Sequence, residues 1–249
     1  MKICCLGNSH VGMIKLGYDR YPDQFKGCDI DFFAATRERL SSLKLNDGVL
    51  STKEPVAVRQ IALTSGGRSE IRLADYDAFV VVALGYGLYN TISAFRRHRL
   101  AHWPKSRYLI SPAVMRAACK GTVADSAAAN LIRKILSDRK APIVLCAQPK
   151  PRETVKNQIA IWRDIHHFGE EIIPCYEKDS ADLAQELGIT ILQQPKPTEH
   201  GLYYTKNEFG AGALQLGTNA PRADDEPRHM NPIFGRDYLA LALQSLKAA

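Results

Sequence analysis

The chain has 249 residues, 45% of them hydrophobic and 24% charged, with 33 Lys+Arg against 26 Asp+Glu and a formal net charge of +7. That length suffices for one sizeable core, and the composition excludes a disordered, low-complexity or collagen-like chain. The six cysteines (Cys4, Cys5, Cys28, Cys119, Cys146, Cys175) form no C-x-x-C pair and lie in apolar stretches, which excludes a disulfide-stapled scaffold and suits a reducing compartment.

No run approaches the ~18 unbroken apolar residues of a membrane span. The first apolar run, Ile3 to Leu6, is too short for a signal-peptide core. These features predict a cytoplasmic protein with no membrane span. The positive balance biases it toward anionic partners but is too diffuse to mark a nucleic-acid binder.

In chain order, residues 2–6 form the first predicted strand, followed by the turn Gly7-Asn8-Ser9 and a helix over 10–20. Residues 29–35 form a second strand. The run 77–84, DAFVVVAL, is the strongest strand signal, and so continuous an apolar run fits burial on both faces of a parallel sheet. Residues 107–110 and 141–147 are two further strands, with an Ala-rich helical stretch over 112–138 between them. Residues 177–187 read as a helix and 189–192 as a short strand. Near the end, Asn231 suits an N-cap and Pro232 the first helical position. Leu239, Ala242, Leu243 and Leu246 then share one helical face.

This alternation predicts an α/β fold, a three-layer α/β/α sandwich around a central parallel sheet, as one domain over 1–249. The stretch 37–74 interrupts it. Its sequence VAVRQIAL, TSGG, RSEIRL predicts a β-hairpin with a glycine turn, inserted in one crossover.

Two places carry candidate chemistry. Ser9 and His10 lie on the turn from the first strand into the first helix. At the carboxyl end of a strand in an open α/β sheet, a serine either caps the helix or is presented to a ligand cleft. There the first helical amides can stabilise an oxyanion. The second place is Asp224-Asp225-Glu226-Pro227-Arg228-His229, where a histidine follows carboxylates three to five residues upstream. A serine nucleophile needs a base, and the base needs a carboxylate to fix its tautomer.

Together these blocks resemble the SGNH/GDSL family of serine hydrolases and acyltransferases. That family has a G-D-S-(H/L) block after the first strand and a D-x-x-H block before the last helix. Here the blocks stand as GNSH and EPRH, the latter followed by MNPIFG, as in bacterial members. The resemblance implies a flavodoxin-like fold and an esterase or O-acyltransferase without metal or other cofactor. Its substrate would be an ester of a small molecule or glycan, with an anionic group among the options. The resemblance makes Ser9 the nucleophile and His229 the base. Glu226 has the position of the triad acid, and Asp225 has its chemistry, so both stand as candidates.

The family's G-x-N-D block corresponds to Gly85-Tyr86-Gly87-Leu88. Gly85 matches, but Gly87 stands in place of the Asn that donates to the oxyanion. The expected oxyanion donors are the amides at Ser9, Gly85 and Gly87, with the Asn90 side chain a weaker substitute. This departure supports an alternative: an SGNH-fold binding module for a glycan or other anionic ligand, without turnover.

Other patterns carry less. Gly7 and Gly12 have P-loop spacing, but Met13 stands where a P-loop requires Lys, which argues against nucleotide binding here. His166 and His167 are adjacent and diverge by about 100° on a helix, so they make no metal pair. The basic stretch over 95–107 is a solvated surface or a landing patch for an anionic substrate. Tyr86, Tyr89, Trp103, Tyr203 and Tyr204 pack in the core or on a cleft rim.

Overall fold

The computed structural model describes residues 1–103, 108–215 and 220–248. Five parallel strands form the central sheet: β1 (Lys2–Gly7), β2 (Asp29–Ala34), β3 (Ala78–Val82), β4 (Ile143–Cys146) and β5 (Thr190–Leu192). Their spatial order is β5-β4-β3-β1-β2. Every residue of β3 is buried, as its unbroken Ala-Phe-Val run requires of a strand covered on both faces. The order reverses between β1 and β3, which pair in register from Ile3↔Ala78 to Gly7↔Val82. Crevices at such reversals hold ligands at the strands' carboxyl ends.

Helices cover both faces, giving the α/β/α sandwich. On one face, α1 (Val11–Arg20) and the C-terminal helix, here α7 (Pro232–Ala248), enclose Ile3, Cys5, Val80 and Cys146. On the other, α2 (Pro55–Ser65), α3 (Leu88–Ala94), α4 (Pro112–Ala124), α5 (Ala127–Asp138) and α6 (Gly169–Leu187) pack on Cys4, Leu6, Phe79 and Leu145. Alternate strand residues thus serve opposite layers.

Two glycines set the distance between α1 and α7. A Cβ on Gly17 would come within 2.5 Å of the Arg236 nitrogen and 2.8 Å of the Pro232 carbonyl oxygen, and one on Gly235 would collide with the Met13 carbonyl. The two backbones therefore touch, and the residues just ahead of each helix become neighbours. Asn231 fixes the start of α7: its Oδ1 accepts from the Phe234 amide at 3.1 Å, and its Nδ2 donates to the carbonyls of Glu208 and Ala211.

The insert differs from the expectation. Residues 56–63 (VAVRQIAL), expected to be a strand of a hairpin, lie in helix α2. Glu54 caps it, accepting from Val56 and Ala57 amides at 3.3 and 2.6 Å; Pro55 is its first residue and Gly66 ends it in the left-handed region. Its buried positions Ala57, Ile61, Thr64 and Ser65 follow helical spacing. A hairpin does exist in the insert, but it joins Lys44–Asn46 to Val49–Ser51. Its turn is Asp47-Gly48, both at positive φ, the residue pair favoured in a two-residue hairpin turn. Ile71–Arg72 adds a third short strand.

A second difference concerns 107–110. Tyr108–Leu109 pair with His98–Arg99 outside the central sheet; they are exposed and bury nothing that would seat them in it. Residues 104–107, which end the basic stretch and include the first residue of that run, lie outside the described residues.

Candidate active site

Ser9 follows β1 directly. The turn is held by Asn8, whose Oδ1 accepts from the His10 amide at 3.1 Å and whose carbonyl accepts from Val11. Asn in this place makes the local turn that a side-chain oxygen of this length allows. Ser9 does not cap α1. The cap position is His10, without a side-chain cap bond, and the Ser9 hydroxyl points elsewhere.

It points at His229. Ser9 Oγ lies 2.9 Å from His229 Nε2, and His229 Nδ1 lies 2.8 Å from Glu226 Oε2. The residues come from opposite ends of the chain, 220 positions apart, and meet because α1 and α7 touch. Burial alone would raise the Glu226 carboxyl. The hydrogen bond and charge of His229, with the amides of His229 and Arg228, outweigh burial and hold it well below the usual carboxylate range. An ionised carboxylate only accepts, so His229 Nδ1 carries the proton and Nε2 accepts from the serine hydroxyl.

Of the two acidic candidates, only Glu226 reaches the histidine. Its oxygens also accept from the amides of Arg228 at 3.2 Å and His229 at 2.8 Å, which folds the loop around the carboxylate. Asp225 is exposed, and its carbonyl accepts from Gln158 Nε2. The buried Arg152 holds the loop from behind, donating from Nη2 to the Asp224 and Glu226 carbonyls.

His10 stacks on His229, ring centroids 4.9 Å apart and planes 15° off parallel. Burial, and then the His229 charge, push the His10 imidazole well below its ordinary value. It is therefore a neutral plate that restricts the His229 ring without competing for the proton.

A cavity of about 420 Å³ opens over these groups, lined by Ser9 and His229, by Thr36 and Arg37 after β2, by Tyr89 and Asn90 on α3, and by Gln148 after β4. Asn8, His10, Arg222 and Arg228 complete it. A second pocket of about 150 Å³ shares Ser9, Thr36 and Arg222 and is walled by Ala34, Ala35, Leu63 and Thr64. Ser9 stands where the two meet.

The glycines expected to line the oxyanion position do not line either pocket. A Cβ on Gly85 would meet Glu38, and one on Gly87 would lie 2.9 Å from the Gln148 Cβ. Gly87 packs against Gln148, and the next polar side chain along, Asn90, reaches the cavity, donating to Gln148 Oε1 at 3.0 Å. The Ser9 amide has no hydrogen-bond partner among the described residues.

Ala83 and Leu84 at the end of β3 have φ of 59° and 48°. Non-glycine residues held there store strain of the kind found beside functional sites. This kink turns the chain so that α3 presents Tyr89 and Asn90.

Several lining residues carry no sequence signal of their own. Arg37, Gln148 and Arg222 lie in three different loops and belong to no motif; for Arg37 and Gln148 the usable clue is position just after a strand. The described residues of the basic stretch, 95–103, line neither pocket. Of the aromatic candidates, Tyr89 lines the cavity and stacks on Trp162 at 5.5 Å, while Tyr86 is buried and donates to Ser180.

No family model matches the chain, and no curated protein matches it. Solved structures show distant likeness. A protein from Lactobacillus plantarum is 13% identical, with 99% of this chain and 96% of that one covered, at a TM-score of 0.45. A DUF4886 family protein from Bacteroides uniformis is 12% identical, covering 100% and 83%, at 0.44. The periplasmic domain of a lipopolysaccharide acetyltransferase from Salmonella Paratyphi A is 13% identical, covering 100% and 84%, at 0.41. Likenesses this low transfer no activity to this chain.

Proposed function

We propose that this protein is an SGNH-type serine hydrolase or O-acyltransferase that cleaves or transfers an ester-linked acyl group. The observation that carries the reading is the unbroken relay Ser9 Oγ, His229 Nε2, His229 Nδ1, Glu226 Oε2, with steps of 2.9 and 2.8 Å.

The chemistry follows from that relay. Ser9 Oγ attacks the ester carbonyl while its proton passes to His229 Nε2. Glu226 stabilises the imidazolium without taking the proton. The Ser9 amide and Asn90 Nδ2, which lines the cavity, are the donors this reading assigns to the oxyanion. Collapse of the tetrahedral intermediate breaks the bond to the alcohol oxygen, and His229 returns the proton to the leaving alcohol. Water or an acceptor hydroxyl, deprotonated by His229, then attacks the acyl-serine; the acyl–Oγ bond breaks, His229 returns the proton to Ser9 Oγ, and the acid or a new ester leaves.

Ser9→Ala tests this. Loss of the nucleophile in another serine hydrolase costs about 10⁶-fold in turnover, so short-chain aryl-ester cleavage by the variant should drop to background. Equal rates for parent and variant remove Ser9 from the reaction. A second reading, a binding module without turnover, draws support from Gly87, which offers no side-chain donor to an oxyanion. A parent protein that binds an ester analogue but never cleaves the ester would favour it.

A further inference from the structure

The charge around Ser9 is one-sided. Three guanidinium side chains, Arg37, Arg222 and Arg228, line the larger cavity, and the carboxylate nearest to them in the site, Glu226, is already taken. It accepts from Arg228 and holds His229. Arg37 and Arg222 make no side-chain hydrogen bond or ion pair among the described residues.

Arg222 is the more telling of the two. Its Nε is buried and has no hydrogen-bond partner among the described residues. Its backbone is pinned, the amide donating to the Ala213 carbonyl at 2.9 Å. Burial draws its guanidinium below the ordinary value; Glu226 opposes this and Arg228 adds to it. A desolvated donor without an acceptor is costly to a fold. Arg222 as a whole is half-buried and lines both pockets beside Ser9, so its guanidinium is placed to meet an acceptor that arrives with the substrate. Arg37 lines the same cavity with φ of 60°, a left-handed conformation that non-glycine residues adopt at some cost.

The two pockets also differ in kind. The smaller has an apolar wall of Ala34, Ala35 and Leu63 beside Gln60, Thr64 and Gln215, and its size suits a short acyl chain. The larger alone carries Arg37 and Arg228, shares Arg222 with the smaller, and suits the polar half of an ester. We propose that the substrate is an ester of a short acyl chain whose alcohol half bears an oxyanion (carboxylate, phosphate or sulfate), seated between Arg222 and Arg37. This rests on the reading of Ser9 as nucleophile, because the same cavity must hold the scissile bond. It reaches further in naming the charge of the substrate and the residues that select it. Paired guanidinium donors bind planar oxyanions in the forked geometry that Lys does not offer.

The test uses esters that differ only in charge: para-acetoxybenzoate and para-acetoxyphenyl phosphate as anions, para-acetoxybenzamide as the neutral partner, and a monoaryl succinate carrying the anion on the acyl side. For each variant, kcat/KM on an anionic ester is divided by kcat/KM on the neutral one, so intrinsic leaving-group reactivity cancels between proteins. Charge-assisted hydrogen bonds predict that Arg222→Gln lowers this ratio about ten- to a hundredfold, with Arg222→Lys recovering part of it. Arg37 is exposed, so Arg37→Gln retains the fold and should lower the ratio in the same direction. The ratio for the phosphate against that for the carboxylate identifies which oxyanion fits.

Equal ratios in parent, Arg222→Gln and Arg37→Gln overturn the proposal while leaving Ser9 as nucleophile. A preference confined to the succinate overturns it as well, since the anion would then lie on the acyl half. Titration calorimetry on Ser9→Ala gives a readout free of turnover. Binding of para-acetoxybenzoate that is tighter than that of the benzamide and weakens in Ser9→Ala/Arg222→Gln upholds the anion site even if no ester is cleaved. Indifference of binding to both charge and Arg222 contradicts it.

Discussion

Gly235 lies directly on the Met13 carbonyl, with no room for a side-chain carbon between α7 and α1. This contact decides where His229 stands relative to Ser9. Ser9 is two residues ahead of α1 and His229 three ahead of α7, so any widening of the crossing moves the imidazole from the hydroxyl.

Gly235→Ala should therefore act twice. Overpacking of a fitted contact typically costs about 1–3 kcal/mol, which a urea titration would register as a lower midpoint with an unchanged slope. Ester cleavage measured well below that midpoint should also fall, because the surviving folded molecules hold the relay apart. An unchanged midpoint would mean that the helices can separate without penalty.

Asp225 and Glu226 are adjacent, and their substitution should have unequal effects. Glu226→Ala removes the group that fixes the tautomer of His229 and stabilises its charged form. In a related triad, a substitution that spoils this function drops turnover about 10⁴-fold. Asp225→Ala takes away an exposed carboxylate and should leave the rate near the parent's. The depressed Glu226 carboxyl stays ionised throughout an assay range above pH 5, so the parent's activity should show no titration of Glu226 there. Comparable losses in the two variants would contradict this assignment.

Acid sensitivity should trace in part to His10. In the unfolded chain a histidine takes up its proton near pH 6.5, whereas folded His10 is held neutral to well below that value by burial and by the His229 charge. Between these values the unfolded state binds more protons, so stability falls as pH drops below about 6.5. Urea midpoints at pH 7.5 and 5.5 should differ more for the parent than for His10→Gln. Identical shifts would remove His10 as a source of the sensitivity.

Asn90 should contribute to the transition state. Loss of one oxyanion donor costs about 2.7–4 kcal/mol, roughly 10²–10³-fold in kcat. Asn90→Ala should reduce kcat by that order with a smaller change in KM, and Asn90→Asp, which presents a charge to the oxyanion, should do no better. A KM effect alone would make Asn90 a substrate-binding side chain.

Much of this arrangement is legible in the sequence because the signals are local. The β3 run announces a doubly covered strand, and Asn231-Pro232 marks the start of α7. The blocks around Ser9 and His229 each sit at an element boundary that composition reveals. The insert is harder. VAVRQIAL mixes both periodicities over its eight residues, and what decides for a helix is Glu54 capping ahead of Pro55. The neighbouring Asp47-Gly48 turn was the better hairpin signal. The arginines of the cavity are least legible: Arg37 and Arg222 are far apart in the chain and gain meaning only where β2 and the loop before α7 meet.

A fluorophosphonate probe followed by peptide mass spectrometry tests the serine relay most directly. An activated Ser9 should carry the phosphonyl adduct in the parent, labelling should be lost in Ser9→Ala, and it should slow sharply in His229→Ala, where no base draws off the hydroxyl proton. A parent that stays unlabelled at probe concentrations that modify a reference serine hydrolase, or an adduct that forms as fast without His229, would contradict the claim that this hydroxyl is made nucleophilic by that imidazole.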